Sequence, residues 1–224
     1  TREKAAVACA SVGGKTTPVP CELADPKSVL ACVDEVKGMG IPLDGIIANA
    51  GIMALPKLQQ AFGYELQFFT NHVGHFLLVT GLLDPLAPDG RVVMLSSNGH
   101  RMAPSKGIEL DNLSGSRGYS AWRAYGQSKL ANLLFAKSLA RRFEGSDRVA
   151  CAVHPGVIQT QLGRHMGVFL NAFYGLGDLL AFKDVAQGAA TQVWAAAHPD
   201  AATVSGKYLA NVNVGSCSKL ADDT

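Results

Sequence analysis

The chain has 224 residues, 48% of them hydrophobic and 17% charged, with a net charge of +2. That length suits one domain, and that composition builds a large core and is not that of a disordered chain. A balance so near neutral, with Lys and Arg scattered rather than in runs, gives no electrostatic footprint for nucleic acid, and no apolar run approaches the roughly 20 residues that span a bilayer.

The five cysteines, Cys9, Cys21, Cys32, Cys151 and Cys217, are odd in number and form no CxxC pair. They are read as reduced thiols, which places the chain in a reducing compartment, the cytoplasm or an organelle stroma. No signal peptide is visible, and the first residue is Thr1 rather than methionine.

In chain order, "TPVPC" at 17–21 reads as the end of a short strand. Residues 24–36 read as a helix, with Asp25 as N-cap, Pro26 in the first turn, and Val29, Leu30, Val33 and Val36 at helical spacing. "LDGIIANAG" at 43–51 is a buried strand running into a glycine turn, and 61–83 is a long apolar helix. "GRVVMLSS" at 90–97 is a strand whose run at 92–95 is apolar on both sides, as when helices cover both faces of a parallel sheet. A loop at 98–120 precedes a strong helix at 121–143, and 147–156 is a strand followed by a turn. Residues 157–182 are irregular and greasy, with Val168, Phe169, Leu170, Phe173 and Tyr174, and are expected to form a substrate lid. A helix at 184–198 and a strand at 206–210 close the chain.

Strands alternating with helices predict one α/β domain over residues 1–224, a doubly wound parallel sheet with right-handed crossovers. Ligands bind such sheets beyond the C-terminal strand ends. Three strand exits fall there: 49–51, 96–97 and 154–156.

Tyr125 and Lys129 stand four apart on the predicted helix and so share a face. A free tyrosine, with a pKa near 10, is about 4 kcal/mol from deprotonation at pH 7. A lysine cation roughly 4 Å away offers on the order of 4 kcal/mol at an effective dielectric near 20, less what desolvation takes back. Such a pair is also an ordinary helix-surface pair, so the motif alone decides nothing. Ser97 ends an apolar strand where the crevice opens, and its hydroxyl is suited to a substrate carbonyl oxygen. Ser96 competes for that role, since alternation points one serine to each face. Asn71 lies mid-helix in an apolar setting, where an amide must find partners. His72 and His75 beside it read as core or surface histidines, and no cluster with metal-ligand spacing occurs. Ser97 lacks the GxSxG elbow of a hydrolase.

"NAG" at 49–51, Asn71, "SS" at 96–97, "YGQSK" at 125–129 and "HPG" at 154–156, in this order and spacing, resemble the short-chain dehydrogenase/reductase family. "ELQFFTNHVGHFLL", "RAYGQSKLANLLFAKSLARR" and "VSGKYL" are most similar to its retinol dehydrogenase-like branch and that branch's chloroplast-envelope relative. The resemblance implies a Rossmann-like fold and a catalytic tetrad of Asn71, Ser97, Tyr125 and Lys129. Tyr125 would be the acid/base, Lys129 would lower its pKa and hold the nicotinamide ribose, Ser97 would orient the carbonyl, and Asn71 would hold a relay water. Asn49, Ala50 and Gly51 would line the adenosine and ribose side of the cofactor, and Pro155, Gly156 and Thr160 the nicotinamide side. The implied cofactor is NADP(H) more than NAD(H), the substrate a small lipophilic carbonyl or alcohol, and the helices at 61–83 and 121–143 a possible homodimer face.

The glycine-rich fingerprint that opens this fold is missing, and "SVGGKT" at 11–16 lies before the third strand of the pattern, with the wrong spacing. The expectation is a domain lacking its first strand–helix–strand unit, because the sequence is part of a longer chain. The competing reading is a non-catalytic scaffold that keeps the fold and binds cofactor poorly.

Overall fold

The computed structural model describes residues 1–158 and 183–222. Its elements are α1 (Arg2–Ala10), α2 (Pro26–Gly38), β1 (Leu43–Ala48), a small hairpin β2 (Gln60–Ala61) and β3 (Tyr64–Glu65), α3 (66–81), β4 (Leu86–Leu95), α4 (Ala121–Arg142), β5 (Val149–His154), α5 (Val185–Ala197), β6 (Tyr208–Ala210) and β7 (Asn213–Val214). The main sheet runs β1-β4-β5-β6-β7, parallel throughout except for the closing β6–β7 hairpin.

Strand β4 shows why helices cover both faces. Val92, Val93, Met94 and Leu95 are all at most 3% exposed. Val92 and Met94 pack into a cluster with Val79 of α3 and Leu130 and Leu133 of α4. Val93 and Leu95 pack into a second cluster with Ala195 of α5, Ala201 and Leu209. Each such side chain contributes about 1.5–3 kcal/mol of burial, so a strand with two apolar faces is stable only between two helical layers. The register Ala48↔Met94 and Leu95↔Val153 brings the C-terminal ends of β1, β4 and β5 to one edge. The doubly wound expectation holds.

Several boundaries differ from the sequence reading. Residues 17–21 form no strand: Pro18 and Pro20 have no N–H to give a ladder, and among the described residues no strand lies beside them. The helix α1 was not foreseen. None of its residues is buried, and Arg2 holds it to α2 through Glu35 at 2.8 Å. The long helix begins at Leu66 rather than 61, because Phe62 (φ 51°) and Gly63 (φ 82°) turn the chain back as a two-residue hairpin. Its middle, Phe69–Val73, is π-helical. Strand β4 starts at Leu86 instead of 90, and β6 is shorter than 206–210 and is followed by β7. The helix expected at 184–198 is α5, started by a capping box between Asp184 and Gln187. The expected lid lies outside the described residues apart from Val157 and Ile158. Among the described residues β1 has no strand on its outer edge, where Ile47 is 45% exposed, and no helix is long and apolar enough to cross a membrane.

Candidate active site

The two serines after β4 are separated by strand parity. Ser96 follows Val92 and Met94 onto the α4 face, where its buried hydroxyl donates to Lys129 O at 2.8 Å. Ser97 leaves the strand in extended conformation and caps a 3-10 turn, Asn98–Met102, its Oγ accepting from Gly99 N at 3.0 Å. Accepting that bond leaves the hydroxyl proton of Ser97 to be donated elsewhere. The structure therefore distinguishes Ser96, which braces a helix, from Ser97, which faces the strand exit.

Gly99 connects Ser97 to Tyr125. A Cβ at Gly99 would stand 2.7 Å from Tyr125 Cε1 and 3.3 Å from Ser97 Oγ. The phenol ring and the serine hydroxyl thus flank one glycine. The turn is held from behind by His100, whose Nδ1 donates to Ser97 O and whose Nε2 accepts from Ser218 N at 3.0 Å. Burial keeps the His100 pKa below its ordinary value, consistent with a neutral ring used as both donor and acceptor.

Lys129 is only 5% exposed. Its Nζ donates to Leu95 O at 3.0 Å and lies 5.7 Å from the Tyr125 ring centroid. Burial pushes its pKa down from 10.5 to about 8. At pH 7 an amine titrating there is still about nine-tenths cationic, so the charge meant to act on the phenol persists. An ammonium carries three protons, and Leu95 takes one of them.

Asn71 finds the partners its burial demands, in the π-helical turn of α3. Its Oδ1 accepts from Ile52 N at 2.8 Å, and its Nδ2 donates to Ile52 O at 2.9 Å and Ser128 Oγ at 3.0 Å. This clamps the loop after β1 onto α4. A Cβ at Gly51 would lie 2.9 Å from Asn71 Oδ1 and 3.7 Å from Lys129 Nζ, so the close approach of that loop to both residues requires glycine. Asn71 O accepts from His75 Nδ1 at 2.8 Å and Asn132 Nδ2 at 3.0 Å. His75 is buried, and desolvation lowers its pKa to about 4.

Asn71, Ser97, Tyr125, Lys129 and Gly51 are therefore brought together. Asn49 and Ala50 sit exposed at the exit of β1. On the β5 side, His154 Nδ1 accepts from Asn98 N at 3.4 Å, which sets Pro155 and Gly156 beside the Ser97 turn. Gly156 has φ 93°, and a Cβ there would strike Lys183 Cδ at 2.6 Å. Thr160 lies outside the described residues. A cavity of about 680 Å³ lined by Arg91, Phe143 and Arg148 opens among the N-terminal ends of the strands and includes none of these groups. Sequence reasoning missed Gly99, His100, Ser128 and Asn132. Each acts through a contact between distant segments, and only the "KLAN" spacing after Lys129 hinted at the last.

The family model described as short chain dehydrogenase matches residues 1–168. The chain belongs to the short-chain dehydrogenase family. It is 41% identical over 212 residues to "Short-chain dehydrogenase TIC 32 A, chloroplastic" of Brassica napus, covering 91% of this chain and 66% of that protein. It is 37% identical over 193 residues to human "Retinol dehydrogenase 14", covering 84% of this chain and 56% of that one. A crystal structure from Mycobacterium paratuberculosis superposes with a TM-score of 0.76 at 31% identity, over all of this chain and 75% of the other. This short-chain dehydrogenase chain thus spans just under two thirds of its plant relative and just over half of its human one.

Proposed function

We propose that this chain carries the catalytic end of an NADP(H)-dependent oxidoreductase that interconverts a lipophilic carbonyl and its alcohol. The observation that carries the reading is the buried Lys129 ammonium behind Tyr125, with Ser97 across Gly99 from the same ring. A buried cation is costly to keep, and a fold that served only as a scaffold would have no use for it.

The described residues fit the nicotinamide-ribose end of a dinucleotide. Gly51 lets the chain approach Lys129 closely, and the two Lys129 protons not given to Leu95 suit ribose hydroxyls and the phenol. Asn49 and Ala50 would extend the site toward the adenosine side, and Pro155, Gly156 and Thr160 would close the nicotinamide side. NADP(H), when bound, supplies or accepts the hydride at its nicotinamide ring. In reduction, Tyr125 gives its proton to the carbonyl oxygen as the carbon receives hydride, and Ser97 donates a hydrogen bond to the same oxygen. The Lys129 cation stabilises the phenolate that remains, and in the alcohol-oxidising direction that phenolate takes the proton back. Asn71 supports this by clamping the loop after β1, and it is the candidate holder of a relay water.

The apolar residues at 168–174 support a lipophilic substrate, as does the similarity to a retinol dehydrogenase, and the preference for NADP(H) is what the sequence resemblance to that branch implies. Phe76, 43% exposed, with Phe135 5.0 Å away, gives α3 and α4 an apolar outer face suited to a homodimer. The test is turnover of aliphatic and aromatic aldehydes with NADPH and with NADH. Activity is expected with NADPH and is lost in Tyr125→Phe with the fold retained. Carbonyl reduction that persists in Tyr125→Phe overturns the assignment.

A further inference from the structure

Asn132 takes no part in the steps above, yet it sits where three of their groups meet. It lies one turn beyond Lys129 on α4 and is fully buried. Its Nδ2 donates to Asn71 O at 3.0 Å and to Leu95 O at 3.0 Å, and its Oδ1 faces His72 Nδ1 at 3.0 Å. Leu95 O is the same carbonyl that receives Lys129 Nζ at 3.0 Å. One oxygen, the last of β4, therefore holds both the ammonium and the amide.

A primary amide can be turned over with little change of shape. Turned over, its oxygen would face two carbonyl oxygens, and both would lose a donor. Those two carbonyls fix the amide with its oxygen toward His72, and since an amide oxygen only accepts, the proton of the neutral imidazole sits on Nδ1. Its ring is packed among Phe68, Phe76 and Phe135, and desolvation holds its pKa below the ordinary value, so the imidazole is neutral.

We propose that Asn132, hydrogen-bonded to His72, is a positioning residue that joins the end of β4 and the π turn to α4 and so sets the place of Lys129 behind Tyr125. The inference rests on the roles proposed above for those two residues. The amide also occupies one of the two lone pairs of Leu95 O. Without it the carbonyl turns wholly to the ammonium, draws it away from the phenol and favours its charged form.

The test uses Asn132→Leu, His72→Phe and the double variant in the whole chain. Turnover is expected to fall by about 10- to 100-fold in Asn132→Leu, as for an ångström-scale misplacement, while KM for the carbonyl changes little. His72→Phe gives a similar loss, and the double variant loses no more than the worse single one, because the pair acts as a unit. A second readout needs no turnover: the Lys129 titration, followed by ¹³C NMR of labelled lysine ε-carbons, is expected at about 8 in the parent and to move upward in Asn132→Leu. The titratable groups near that ammonium are Tyr125 on α4 and His75 on α3, while β4 presents the Leu95 carbonyl and His72 lies on the far side of Asn132 Oδ1. Both imidazoles are neutral above pH 7, so they do not move in that range. Parent-like turnover, an unmoved Lys129 titration, additive losses, or losses that only track the thermal midpoint would each overturn the proposal. A parent that reduces no carbonyl sinks the proposed reaction instead, and the Lys129 titration still decides for or against Asn132; if Asn132→Leu does not fold, His72→Phe is read by the same two measurements.

Discussion

Replacing Gly99 with alanine adds one methyl group where the Ser97 turn meets the phenol ring. The new Cβ would stand 2.7 Å from Tyr125 Cε1 and 3.3 Å from Ser97 Oγ. Two carbons rest at about 3.5–4.0 Å, so ring and turn must separate by roughly an ångström. Gly99 is not among the glycines with positive φ, so alanine can take its backbone conformation and the effect is purely steric. Tyr125 is 5% exposed and packed edge-on against Trp122, so its ring has little room to retreat. Overpacking of this size costs about 1–3 kcal/mol of stability. A displacement near 1 Å between acid and substrate oxygen costs about 100-fold in rate. The measurements are NADPH oxidation under saturating carbonyl, NADPH affinity from fluorescence titration, and urea unfolding. The expected result is a folded variant with near-parent cofactor affinity and kcat lowered by about two orders of magnitude. A Gly99→Ala enzyme with kcat within about twofold of the parent would refute the placement of Ser97 and Tyr125 on either side of that glycine.

The two serines should separate cleanly. Ser97→Ala is expected to lower kcat by about 100- to 1,000-fold and to cost about 0.5–2 kcal/mol as Gly99 N loses its cap, whereas Ser96→Ala keeps turnover and costs about 0.5–1.5 kcal/mol by removing a buried hydrogen bond to Lys129 O, a carbonyl within α4; steady-state rates and urea midpoints on both variants check this. Lys129 gives a pH signature. It titrates at about 8 when folded against 10.5 when exposed, so between those values the unfolded chain holds a proton that the folded chain has lost, and stability rises with pH across that window. Lys129→Met abolishes turnover, flattens that rise, and at pH 7 is more stable than the parent by up to about 3 kcal/mol; denaturant unfolding at pH 7, 9 and 10.5 measures it, and a parent whose stability is level across the window counts against the buried ammonium.

The apolar run at 92–95, the Asp25 cap and the alternation of strand and helix were enough to read a parallel sheet between two helical layers, because periodicity and capping are properties of neighbouring residues. The same local signals misplaced the start of the long helix, where Phe62 and Gly63 turn the chain back, and named a strand at 17–21 that has no ladder to join. Ser97, Tyr125 and Lys129 were legible as a constellation by their order and spacing. The choice between Ser96 and Ser97 was not, since it depends on which face of β4 meets α4. Nor was the burial that moves Lys129, the double use of Leu95 O, or the His72–Asn132–Asn71 chain of hydrogen bonds. Chain order settles which residue types are available and where strands end. How far a charge lies from water, and which carbonyl two donors share, depends on segments dozens of residues apart coming within 3 Å, and that is decided only when the layers pack.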